Sequence, residues 1–103
     1  MPSFTTRVEL HNANYSDYET LHAAMARRGF LRLITSDEGS TYHLPTAEYD
    51  RVGDLNAHQV LDAAKAAAAE TGKSFGVLVT ESRGRVWSGL SVAQRRANAP
   101  LSR

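Results

Sequence analysis

The chain contains no cysteine, which excludes disulfides, thiolate catalysis and cysteine-ligated zinc or iron–sulfur centres. It has no apolar run approaching the roughly 20 residues of a membrane-spanning helix. Its first residues lack the charged-then-apolar order of a secretory signal, so a cytoplasmic location is expected and the Asn14-Tyr15-Ser16 sequon has no role there. Only three prolines and one tryptophan are present, so Pro45 and Trp87 are positions that need explaining.

What is present is the composition of a folded domain, 42% hydrophobic and 22% charged over 103 residues. That length predicts one domain, near the size where a second subunit helps, and a homodimer is expected. The net charge of +1 conceals a division. Arg83, Arg85, Arg95, Arg96 and Arg103 give the segment from Ser82 onward +5 with no acid, while seven basic and eleven acidic residues leave the preceding body at −4. A basic tail on an acidic body points to nucleic acid or an acidic partner, and equally describes a solvated terminus.

Phe4 to His11 alternates at strand period. Ser16 with Glu19 then predicts a capping box, and Tyr18, Leu21, His22 and Met25 follow at helical spacing up to a left-handed stop at Gly29. Phe30–Thr35 and Thr41–Leu44 read as a second and a third strand around the turn at residues 36–40. Asn56 and Gln59 predict the cap of a second helix, with Leu55 and Val60 at hydrophobic-staple spacing. Its alanine-rich body runs to about Thr71, and Phe75–Thr80 forms the last strand. This order predicts an α+β, ferredoxin-like βαββαβ sandwich: a four-stranded antiparallel sheet with two helices on one face, spanning residues 1–90, followed by a flexible basic tail over 91–103.

In that fold the third strand is central, beside the first, where Pro45 would remove a ladder hydrogen bond. Regular pairing is therefore expected to end near Leu44, or to bulge there, with Ala47 to Val52 continuing as an irregular extension. The last strand is apolar on both sides, which predicts a cover for the open sheet face, either a second subunit or the segment around Val86, Trp87 and Leu90.

Two phosphate- and base-binding motifs fail on inspection. Thr71-Gly72-Lys73-Ser74 resembles the end of a Walker A loop, but the required earlier glycine is Ala67 and the segment follows a helix. Lys73 to Val79 echoes the aromatic signature of RNA-recognition domains, but on the wrong strand, and Phe75 reads as core. The four histidines have no short ligand spacing, so no metal or cofactor is expected.

Strand alternation places Arg7, Glu9 and His11 on the open face, with Thr41 and His43 on the adjacent strand. His11 and His43 could form an acid–base pair, Glu9 an orienting carboxylate and Arg7 a phosphate anchor, as metal-free RNA cleavage requires. The same residues also suit a polar or dimerising sheet face. Arg83, Arg85 and Trp87 combine two cations and a stacking ring within five positions, fitting single-stranded RNA. Trp87 fits equally as an anchor of the tail in the core.

The segments Arg7-Val8-Glu9-Leu10-His11, Asp17-Tyr18-Glu19-Thr20-Leu21-His22, Tyr42-His43-Leu44-Pro45-Thr46-Ala47-Glu48-Tyr49 and Val79-Thr80-Glu81-Ser82 together resemble the GhoS-type family, endoribonuclease antitoxins of type V toxin-antitoxin systems. The resemblance covers residues 3–90. It implies a ferredoxin-like fold similar to the small CRISPR-associated adaptation nuclease, and cleavage of a single-stranded messenger that encodes a membrane-damaging toxin. Those CRISPR relatives carry a metal-binding aspartate near the end of the first strand, where this chain has His11 and Asn12. The alternative is a noncatalytic dimeric interaction module that binds nucleic acid or a protein partner.

Overall fold

The computed structural model describes residues 1–95. Its elements run β1 (Ser3–Leu10), α1 (Tyr15–Arg27), β2 (Leu33–Thr35), β3 (Thr41–His43), β4 (Glu48–Val52), α2 (Ala57–Ala69), β5 (Phe75–Glu81) and β6 (Val92–Gln94). The architecture is α+β, with two helices and two three-stranded antiparallel sheets, ordered β4-β1-β5 and β2-β3-β6. The expected single four-stranded sheet is thus replaced by two smaller ones.

β1 organises the first sheet. Its even-numbered residues Phe4, Thr6, Val8 and Leu10 are buried, while Arg7 and Glu9 face outward. The buried apolar set joins Leu21, Ala24 and Met25 of α1, Tyr49 of β4, and Val60, Ala64, Ala67 and Ala68 of α2 in one core. The small residues of α2 let it lie close to β1 and β5, where each leucine would have held it further off.

α2 begins as its sequence predicts. Asn56 Oδ1 accepts from the Gln59 amide at 2.8 Å, Gln59 Oε1 accepts from the Asn56 amide at 2.9 Å, and Val60 is fully buried over Leu55. α1 begins two residues earlier than expected. Its capping box is Asn14 with Asp17, reciprocally bonded at 2.9 Å, and Ser16 and Glu19 lie inside the helix. Both sets have the right spacing, but Asn14 is the residue held in extended conformation, at φ −109° and ψ −177°. Gly29 takes the left-handed stop, at φ +85°.

The neighbour of β1 is the main correction to the sequence reading. Thr41–His43 pairs with β2 and β6, and the strand beside β1 is Glu48–Val52, with Thr6 opposite Tyr49 and Thr5 opposite Asp50. Pro45 is the reason. Having no amide proton, it ends the ladder of β3; its carbonyl accepts from Glu48, Ala47 turns at φ +64°, and a new strand starts in place of an irregular extension. This delivers Tyr49 to the core at 0% exposure. Leu31 bridges the outer side of β4, exchanging backbone hydrogen bonds with Asp50 at 2.8 and 2.7 Å.

β6 lies beyond Leu90, inside the segment expected to be a tail. Arg96 and Arg103 lie outside the described residues. No helix among the described residues is long and apolar enough to cross a membrane.

Candidate nucleic-acid interface

After β5 the chain reverses onto the outward face of the first sheet. The Ser82 amide donates to the Ser3 carbonyl at 2.8 Å, continuing the ladder one step past the strand. The Gly84 amide then donates to Ser82 Oγ at 3.1 Å, and Gly84 turns at φ +154°, a conformation that side chains disfavour. Arg85 follows and reaches down to the sheet. Its Nη1 donates to Thr5 Oγ1 at 3.1 Å and to Asp50 Oδ1 at 2.9 Å. Thr5 and Asp50 are cross-strand partners of β1 and β4, so one guanidinium clamps both strands from outside the core.

Two residues on, Trp87 meets Tyr42 of β3 edge-to-face, ring centroids 5.5 Å apart. The His43 amide donates to Ser91 at 2.9 Å, and β6 then pairs with β3. Residues 82–94 therefore form a strap from the first sheet to the second, and the cover expected over the open face is supplied partly by this segment.

Beside the strap lies an open cleft of about 540 Å³, bounded by Arg83, Gly84, Arg85 and Trp87 on one side and by Ile34, Thr35, Ser36 and Asp37 on the other. Arg83 is exposed; Arg85 and Trp87 are half-buried. The charge of Arg85 is engaged by Asp50, leaving Arg83 as the cleft's outward cation. Both readings of Trp87 meet here, since its ring anchors the strap and also lines the cleft. On the other side of the strap is a less polar hollow of about 390 Å³, lined by Leu44, Pro45, Trp87 and Leu90.

The expected acid–base pair is not brought together. His11 directly follows β1 of the first sheet, and His43 sits exposed on β3 in the second. The adjacency failed because the strand next to β1 is β4, which brings Glu48 and Asp50 to that face. His11 keeps local partners: Nδ1 is hydrogen-bonded to Ser74 Oγ at 3.1 Å, and Nε2 is 3.6 Å from Glu9 Oε1. Arg7 and Glu9 line a separate depression of about 270 Å³ with Gly76, Val77 and Leu78, away from Arg83 and Trp87. Among the described residues, no three His, Asp or Glu side chains gather as metal ligands do.

A polar pair inside the molecule was not visible in the sequence. The Tyr49 phenol bonds His22 Nδ1 at 2.6 Å. Burial pushes the phenol well above its ordinary pKa, so Tyr49 keeps its proton in this hydrogen bond. Burial, and then the nearby Arg32 charge, lower the His22 pKa against an opposing pull from Glu19. His22 did carry one local signal, a histidine one position after the core residue Leu21 on the helix.

Compared with known proteins, the chain matches no family model and no curated sequence.

Proposed function

We propose that this chain is a ferredoxin-like protein that binds single-stranded RNA in the cleft beside residues 82–87. The ferredoxin-like reading is supported by the Leu31–Asp50 bridge. With it, the order across the first sheet becomes β5, β1, β4, Leu31, which is the last-first-third-second order of that fold. The short sheet β2-β3-β6 is then an elaboration of the hairpin between the second and third strands.

The observation that carries the RNA reading is that Arg83, Arg85 and Trp87 line one open cleft. An exposed guanidinium suits a phosphate, and an aromatic ring at the cleft wall suits a base, the combination by which proteins hold single strands with little sequence preference. Resemblance to the antitoxin family supports a messenger as the RNA. The acid–base chemistry of an endoribonuclease gains nothing from His43, which lies in the other sheet. Its support is the contact of His11 with Glu9, a carboxylate positioned to orient the imidazole.

Fluorescence anisotropy with a labelled single-stranded RNA tests the binding. Affinity should fall steeply with salt, and Arg83→Ala should reduce the salt slope by about 1, the loss of one phosphate contact. RNA affinity unchanged by Arg83→Ala would refute the cleft. Gel analysis of the same RNA in EDTA tests the chemistry: cleavage lost in a folded His11→Ala variant and kept in His43→Ala would establish a nuclease centred on His11, whereas intact RNA with wild type leaves a binding protein.

A further inference from the structure

The two outer sides of the first sheet differ. The outer side of β4 is met by Leu31, while the outer side of β5 is paired with nothing among the described residues. Apart from Glu81 at its end, β5 also carries none of the devices that protect edge strands. It has seven residues without lysine or proline, pairs with β1 in unbroken register, and exposes Leu78 at 64%. From these features we infer that β5 pairs antiparallel with β5 of a second copy of this chain, about a two-fold axis at Val77. This inference is independent of the RNA reading.

The register follows from hydrogen-bond direction and charge. The His11 amide donates to the Ser74 carbonyl and the Ser82 amide to Ser3, so the even-numbered residues of β5 direct their backbone groups to β1. Phe75, Val77 and Val79 therefore direct theirs outward. Pairing of two β5 strands must match odd residues with odd residues, which leaves axes at Gly76, Val77, Leu78 or Val79 near the strand's middle. An axis at Gly76 sets Lys73 against the partner's Val79, which is apolar. An axis at Leu78 sets Lys73 opposite the partner's Arg83, two like charges. An axis at Val79 sets Glu81 against the apolar partner's Val77. The axis at Val77 sets Lys73 opposite the partner's Glu81 and Phe75 opposite the partner's Val79, and is the only one that satisfies both charge and apolar matching.

The same register supplies shape complementarity. It places Leu78 opposite the partner's Gly76, and Gly76 borders the depression lined by Arg7, Glu9, Val77 and Leu78. A glycine leaves that hollow open for an incoming leucine. Phe75, Val77 and Val79, half-buried against the core on the helix side, become covered in the same step.

Sedimentation across micromolar concentrations should show a dimer. Leu78→Glu, whose side chain points away from the core, should weaken dimerisation about ten-fold or more with an unchanged circular-dichroism spectrum. Because the chain has no cysteine, the register can be read by crosslinking. A Cβ at Gly76 meets nothing within 4 Å, so Gly76→Cys is tolerated. Under mild oxidation, Gly76→Cys/Leu78→Cys should form covalent dimers and Leu78→Cys alone should not. A native chain that sediments as a monomer, or crosslinking by Leu78→Cys alone, would overturn the proposal.

Discussion

The two sheets are held by different forces. The first sheet is backed by both helices, and Phe4, Val8 and Tyr49 in it are essentially inaccessible to solvent. In the second sheet only Ile34 is buried, and β6 is exposed throughout. What holds the second sheet is the strap: Arg85 on Asp50, Trp87 on Tyr42 and the Ser91 carbonyl on His43. Hydrophobic burial fixes one sheet, and a few specific contacts from a distant segment fasten the other, so the candidate cleft lies beside the less buried of the two sheets.

The largest effect should come from removing the core that backs the first sheet. Phe4→Ala deletes a fully buried ring and should cost about 3–5 kcal/mol in urea unfolding, a large part of the stability of a domain this size. A loss below 1 kcal/mol would show that β1 is not the centre of the core.

Arg85→Ala should separate the sheets. It leaves the largely buried Asp50 carboxylate without its cation, at a cost of about 2 kcal/mol. Amide exchange should accelerate at His43, whose partner is Ser91, and stay slow at Val8 in the first sheet. Equal acceleration at both amides would mean that the strap and the first sheet open as one unit.

The His22–Tyr49 pair should weaken the first sheet in acid. Because the folded state lowers the His22 pKa, the unfolded chain binds more protons, and stability is lost as pH falls through about 6.5 and below. His22→Asn, which retains a hydrogen-bonding group for the phenol without a titrating ring, should flatten that part of the stability–pH curve, measured as melting temperature between pH 7 and 5. An unchanged slope would show that His22 titrates alike in both states.

The smallest effect should be a gain. Thr6 is fully buried and its Oγ1 has no hydrogen-bond partner among the described residues, so Thr6→Val removes an unsatisfied hydroxyl at nearly constant shape. Stability should rise by about 1 kcal/mol in denaturant unfolding. A loss of stability would mean that the hydroxyl is satisfied after all.

Elements specified by neighbouring residues were legible in the sequence. Asn56 and Gln59 start α2 through each other, and the alternation of β1 separates core from surface without outside help. The start of α1 was ambiguous because Asn14/Asp17 and Ser16/Glu19 overlap at the same spacing. β4 was illegible for a nonlocal reason. Asp50 turns toward a largely covered face because Arg85, thirty-five residues later, accompanies it there. The same dependence divided the candidate site: Arg83, Arg85 and Trp87 were recognisable as a set, but the assignment of Arg85 to the fold and Arg83 to the cleft depended on where Asp50 lay. His11 and His43 failed as a pair because their proximity required β3, not β4, beside β1.

If the cleft beside the strap binds RNA as proposed, Trp87, the sole tryptophan, lines its wall and reports on binding directly. Titration of its fluorescence with single-stranded RNA should give saturable quenching that weakens as salt is raised. Emission that does not change at RNA concentrations where anisotropy shows binding would place the RNA elsewhere and contradict the account.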